Sequence, residues 1–218
     1  MHNTIRITGL DLSLTSTGIA HITIDRPPTF DPKTQVTTHT ITSTGRRNDT
    51  LSQRVARIRK LRNAIVDQAR HSQLVVIEAP AYSRNVGSVW DRAGLWHSVV
   101  GALDHLGVPY VDVIPQRVKQ LAAGKGNADK AAVAAGMARL WGEQLQARDN
   151  NQFDAAALAT LGAIHVARRQ LPVRVLERHL EVVSAIAWPS VELRHGFRPA
   201  GGHRGRLSGA PGRSVPAG

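Results

Sequence analysis

Cysteine is absent from all 218 residues, which excludes disulfide staples, thiolate nucleophiles and cysteine-ligated zinc together. The ten histidines show no pair at metal-ligand spacing, so an imidazole-bound metal is not expected either. Acidic side chains are scarce: 16 Asp and Glu stand against 28 Lys and Arg, a formal net charge of +12. A chain so cationic gains by meeting a polyanion, because clustered Lys and Arg release the counterions condensed on nucleic acid or on an anionic membrane. Long apolar runs are missing too. None nears the roughly 18 residues of a membrane span, and the opening MHNTIRITGL has no apolar signal core. The expected setting is the cytoplasm, with no membrane partner.

What is present reads as one α/β domain. TIRITGLDL, GIAHITID and QVTTHTITS are three short extended runs with Gly and Pro between them, the pattern of an antiparallel meander. From Thr50 the period changes: Leu51, Val55, Ile58, Leu61 and Ile65 recur by threes and fours, while Arg54, Arg57, Arg59, Lys60 and Arg62 fill the remaining arc. That is an amphipathic helix whose basic face is either solvated or in contact with phosphate. QLVVIEAP suits a central strand buried on both faces. A second helix runs through RNVGSVWDRAGLWHSVVGALDHLG; Gly94 and Gly101 lie on one side of it and would let another helix or a second subunit approach. VPYVDVIP is a fifth strand. After it come the glycine-broken AAGKGNADK, a helix over about 128–145, an Ala-rich helix from Asn150 to Arg168 and a last helical piece over about 173–188. Trp90, Trp96 and Trp141 fall on apolar faces and are expected in the core. The domain is placed at 1–190, and 191–218, rich in Gly, Pro and Arg, is expected to be a disordered basic tail. The order of elements calls for a mixed five-stranded sheet with helices on both faces.

In GLDLSLTSTG, Asp11 shares a strand face with Ile5, Ile7 and Gly9, so the alternation aims a carboxylate along the apolar side. Burying it bare is costly unless a metal, a cation or several donors compensate it. The alternative is a turn residue accepting from the amides of Ser13, Thr15 or Ser16. Glu78 closes the run LVVI and emerges at the carboxyl edge of a central strand, where ligands of open α/β sheets gather, although a strand end can also simply be solvated. In ARDNNQFDAAALATLGAIHVARR, Asp149 and Gln152 make a helix cap and its N3 partner. Asp154 then lies inside the helix, and its neighbours Ala157, Leu158 and Leu161 form the apolar stripe, so it faces the sheet; Asn150 and Asn151 share that side. Three inward carboxylates from distant points of a basic protein suggest one shared site. Hard divalent cations want such oxygens with water and substrate phosphate. A pair of these ions activates a water and stabilises the leaving oxygen of a phosphodiester.

These residues also carry a resemblance to a known family. GLDLSLTSTGIA is similar to the first-strand motif of the RuvC-type Holliday-junction resolvases of the RNase H-like superfamily, especially their phage members. VVIEAP resembles the strand bearing that family's glutamate, FDAAALATL its closing helix, and VKQLAAGKGNADKAAV its basic segment between the last strand and the following helix. The similarity spans about Ile5 to Arg168. It implies an RNase H-like fold and a homodimeric, Mg²⁺-dependent endonuclease that nicks two strands of a four-way DNA junction, with Mn²⁺ able to substitute. The setting would be the cytoplasm of a bacterium or of a phage-infected host. The resemblance also implies two ions per site, held by Asp11, Glu78 and Asp154. The family often carries Asp or His one helical turn before the last Asp. Here that position is Asn151, which brings an oxygen without charge, and Asp149 is the alternative ligand. Lys119 and Lys130 match lysines that contact or orient DNA phosphate near the scissile bond, and Lys130 would neutralise charge during catalysis.

Tyr82 in APAYSRNVG stands where relatives carry an aromatic that wedges into the junction; otherwise it is a core or rim aromatic. Arg84 and Asn85 either bind phosphate or start the next helix. Lys125, between two glycines, has an unobstructed reach towards a DNA backbone. AGKGNADK lacks the spacing of a nucleotide phosphate loop, so no nucleotide cofactor is expected. Three rivals stay open. An Asp followed by Thr and Gly also resembles the phosphate loop of actin-like ATPases, although those need two copies of the domain. A junction-binding protein of weak catalysis is the second, and a nuclease of the same superfamily acting on RNA–DNA hybrids or other branches is the third.

Overall fold

The computed structural model describes residues 4–25, 33–80 and 89–191. Strands β1 (Thr4–Asp11), β2 (Ser16–Asp25) and β3 (Thr34–Thr42) form the expected antiparallel meander. Strands β4 (Leu74–Glu78) and β5 (Tyr110–Val113) add in parallel on the other side of β1, giving the order β3-β2-β1-β4-β5. β4 lies between two strands and under helices on both faces, so Leu74, Val75, Val76 and Ile77 are all fully buried.

Helices α1 (Leu51–Ala69) and α2 (Val89–His105) cover one face through Leu10, Ile19, Val75 and Ile77. The other face meets α5 (Asn150–Ala167) through Ile5, Ile7 and Val76. Packed around α5 are α3 (Pro115–Ala123), α4 (Lys130–Trp141) and α6 (Glu177–Ser184). The approach of α5 to the sheet depends on small residues. A Cβ on Gly9 would collide with the Ala155 carbonyl oxygen, and one on Gly162 would stand 2.7 Å from Ile7 Cγ2. Among the described residues no helix is long and apolar enough to cross a membrane.

Several expectations need correction. The segment that the resemblance makes a linker between the last strand and the next helix is itself helical over α3: Pro115 opens it and Gly124, at φ 78°, closes it, the usual asymmetry of helix ends. Its buried Val118, Leu121 and Ala122 carry the spacing that marks it. Helix α4 stops at Trp141, short of 145, because Gly142 turns to φ 56°. Pro172 and the β-branched Val173 and Val175 disfavour helix, and α6 is confined to eight residues. Leu51 and Val55 are exposed, since the sheet and α2 cover α1 only from Ile58 onward. Trp90, expected in the core, is 84% exposed in the first turn of α2. Trp141 is a core residue whose indole donates to Thr160 Oγ1 at 2.9 Å, and Trp96 is half-buried. Gly94 faces Ile58 of α1, whereas Gly101 has nothing within 4 Å.

A buried polar group lies on the α1 side. Thr8 Oγ1 is 2.8 Å from His21 Nδ1 and 2.6 Å from Ser72 Oγ. Burial, and then the charges of Arg6 and His39, push His21 down to about 4. An unfolded histidine titrates near 6.5, so the unfolded chain takes up a proton that folded His21 refuses. Its contribution is complete above about pH 6.5 and is lost as the pH falls to about 4, at most about 3 kcal/mol. Urea unfolding of the wild type at pH 7 and pH 4.5 is expected to show a larger loss than the His21→Asn variant; equal losses would refute the assignment.

Candidate active site

In the parallel pair of β1 and β4, Leu10 lies opposite Ile77, so the next residues along, Asp11 and Glu78, emerge side by side at the carboxyl edge. Both fall on the α5 side of the sheet, in phase with Gly9 and Val76. Burial raises both carboxyl groups, and the two are close enough to act on each other. Asp154 comes from the start of α5, close enough for its charge and those of the strand pair to act on each other. Asp11 and Glu78 therefore lie side by side, with Asp154 within range of their charge.

The electrostatics of the cluster are uncompensated. Burial pushes the Glu78 carboxyl up to about 8, with the Asp11 charge reinforcing it. Asp154 rises to about 6 by burial and the charge of Asp11. Asp11 is raised by burial too, against the hydrogen bond from Glu78 and the Lys130 charge. Lys119 of α3 acts on Glu78 and Asp154, and Lys130, the first residue of α4, on Asp11 and Asp154. Lys125 is exposed on the turn between those helices. Tyr82, Arg84, Asn85 and the tail from 192 onward lie outside the described residues.

The two candidates for the fourth ligand differ in what they already do. Asp149 caps α5, Oδ1 accepting from Gln152 N at 2.8 Å and Oδ2 from the Thr40 hydroxyl at 2.9 Å. Asn151 donates through Nδ2 to Ser16 O at 2.9 Å and Ser16 Oγ at 3.0 Å. A backbone carbonyl can only accept, so the amide orientation follows, and Oδ1 points away from Ser16. The turn after Asp11 bonds to itself: Ser13 Oγ accepts from Thr15 N, and Thr17 Oγ1 donates to Ser13 O at 2.7 Å. Ser13, and not Asp11, takes the role of the turn residue.

Three supporting residues were not foreseen. The Trp96 indole donates to the Glu78 carbonyl at 3.0 Å and fixes the end of β4. Gly18, opposite Asp11 in β2, leaves room for the Asn151 backbone carbonyl. Arg57 donates to Ser43 Oγ at 2.6 Å and to the Leu14 carbonyl, so it braces the β1–β2 turn and not a phosphate. Only contacts between distant segments reveal these roles, and no sequence pattern marks them.

The donor set suits a hard divalent ion. It is all oxygen, and its negative charge is buried beyond what two lysines offset. Among the described residues no group of three or more carboxylate or imidazole side chains closes into a metal cage. Mg²⁺ does not require one, since it keeps several waters and takes one or two carboxylates with substrate phosphate.

The family model for crossover junction endodeoxyribonuclease RuvC matches residues 7–162. The chain belongs to the RuvC family. It is an enzyme of the crossover junction endodeoxyribonuclease class. The RuvC of Thermus thermophilus superposes with a TM-score of 0.54 at 22% identity, over 71% of this chain and 91% of that one. The same protein in complex with a Holliday junction substrate gives 0.53 at 22%, over 71% and 90%. This likeness establishes the RNase H-like fold with its mixed five-stranded sheet. No curated protein sequence matches the chain. The RuvC match contains all three carboxylates, Lys119 and Lys130, and ends within α5, so α6 lies beyond it.

Proposed function

We propose that this RuvC-family enzyme resolves four-way DNA junctions by metal-dependent phosphodiester hydrolysis, two copies making paired nicks. The observation that carries the proposal is the uncompensated cluster of Asp11, Glu78 and Asp154 at a strand edge of a chain with net charge +12. Those three side chains would hold Mg²⁺, with Asn151 Oδ1 completing the set, because both oxygens of Asp149 are already engaged. When bound, the metal supplies Lewis-acid activation of the hydrolytic water and stabilisation of the leaving oxygen. A cation held there would favour the ionised forms of Asp11 and Glu78, with the displaced proton released to solvent. Lys130 and Lys119 neutralise charge building on the phosphate as one P–O bond forms in line with the one that breaks. Asp11 and Glu78 sit on rigid strands, and the Trp96 bond keeps the Glu78 end in register for that geometry. Lys125, Tyr82, Arg84 and Asn85 remain candidates for DNA contact. The open side of α2 at Gly101 suits the second copy.

The test is incubation of a synthetic four-way junction with Mg²⁺, beside linear duplex, flap and RNA–DNA hybrid. Symmetric nicks in the junction alone are expected. Binding without cutting would favour a junction-binding module, and preferential cutting of the hybrid would move the enzyme to another substrate class. Thermal unfolding gives a separate check. Millimolar Mg²⁺ should raise the midpoint of the wild type by a few degrees, on the order of 1–2 kcal/mol of linkage, and EDTA should reverse it. An equal rise in Asp154→Asn would place the ion elsewhere.

A further inference from the structure

Helix α6 and the segment leading into it, beyond the RuvC match, close a cavity of about 250 Å³ against α3 and α4. Its apolar wall is Leu121, Leu140 and Leu176, and its polar groups are Arg139, Arg174, Arg178 and His179. No acidic side chain lines it; Glu177 and Glu181 belong to α6 but stand outside. His179 is 1% exposed, and its Nε2 has no hydrogen-bond partner. The Leu176 N–H donates to His179 Nδ1 at 3.2 Å, so Nδ1 carries no proton and Nε2 is an N–H donor. Burial and the Arg178 charge lower this histidine from its ordinary value, which keeps that tautomer near neutral pH. Arg139, Arg174 and Arg178 are exposed, with no ion pair among the described residues.

Every polar side chain of the cavity is thus a donor. A cavity whose side chains donate and bring no carboxylate selects an oxyanion, and guanidinium forks match the oxygens of phosphate. The same helices carry Lys119 and Lys130 to the carboxylate cluster. Arg178 itself lies over the α3–α4 turn, its Nη1 2.9 Å from where a Cβ on Gly124 would stand. We propose that Arg139, Arg174, Arg178 and His179 form a phosphate-binding pocket that seats a backbone phosphate of a DNA arm, away from the scissile bond. The choice of DNA as the source of that phosphate rests on the proposed reading of the chain as a junction nuclease.

The test uses the full chain and two probes. With inorganic phosphate, NMR of the His179 ring should show a saturable shift in the wild type, weakened at least about tenfold in Arg174→Gln/Arg178→Gln, since two charge-assisted partners are lost. With a four-way junction in EDTA, the same variant should bind about tenfold or more weakly, and its slope of log affinity against log salt should be shallower by about one, the share of a single phosphate. No response of His179 to tens of millimolar phosphate would overturn the pocket. A phosphate response with unchanged junction affinity and slope would overturn the DNA assignment in favour of a free phosphate. These readouts do not involve cleavage, so a wild type that binds junctions without cutting them would sink the resolvase reading alone.

Discussion

Asp11→Asn, Glu78→Gln and Asp154→Asn are each expected to lower junction cleavage by about 10³-fold or more, with junction affinity within a few-fold of wild type. Each change keeps the shape of the side chain and removes one anionic oxygen from a cluster whose chemistry depends on charge. Single-turnover cleavage and binding in EDTA separate the two effects. A variant that cuts at the wild-type rate would remove its residue from the site. The same substitutions carry an opposite signature in stability. Glu78 has a folded value of about 8 against an ordinary 4.5. Its contribution is therefore complete below about pH 4.5 and is lost as the pH rises through about 8. Above that range the metal-free wild type carries a buried charge that Gln lacks. Metal-free Glu78→Gln at pH 8.5 should be more stable than wild type, by about 1–2 kcal/mol, after discounting for solvent screening and for sharing with Asp11. The advantage should shrink at pH 5. A site that loses activity and gains stability on the same substitution is built for a ligand and not for the fold.

The second large effect is steric. Gly9→Ala and Gly18→Ala are expected to destabilise the protein by about 3 kcal/mol or more, the upper range for overpacking a well-filled core. Neither glycine needs a left-handed backbone. The added Cβ of Gly9→Ala meets the Ala155 carbonyl and the Ala159 amide, and that of Gly18→Ala meets the Asn151 carbonyl. Backbone of α5 cannot yield as a flexible side chain would, so the start of the helix must lift off the sheet. Asp154 and Asn151 ride on that turn, and cleavage should fall together with stability, even at temperatures where the variant remains folded. Denaturant unfolding and single-turnover cleavage of the two variants check both halves. Gly101→Ala is the control: its Cβ meets nothing within 4 Å, and a helical Gly→Ala change gains up to about 1 kcal/mol. A Gly9→Ala protein as stable as that control would disprove the close approach of α5.

Much of the fold was open to reading because its signals are local. The period-two runs of β1 to β3, the continuous apolar run of β4 and the helical spacing of α1, α2 and α5 each follow from which face a residue must bury. Helix α3 is short, and the glycines that follow it mask its pattern, although Pro115, Gly124 and the spacing of Val118 to Leu121 and Ala122 mark it. Trp90 was misjudged for a different reason. Helical periodicity says which side of α2 is apolar and nothing about how far along the helix the sheet still covers it.

The same division runs through the candidate site. Asp11, Glu78 and Asp154 could be named from the sequence because each is a carboxylate in an apolar pattern, an expense that local structure alone does not explain. Their meeting could not be named that way. It depends on the register that sets Leu10 opposite Ile77, and on three glycines that let α5 lie against the strands. The engagement of Asp149 by Thr40, the bond from Trp96 to Glu78 and the arginine-lined cavity under α6 join residues far apart in the chain. Alternation and composition act over a few residues, and they determined the elements, the basic surface and the costly carboxylates. Distance and orientation between elements come from packing the whole core, and only that packing decided which charged groups share a site.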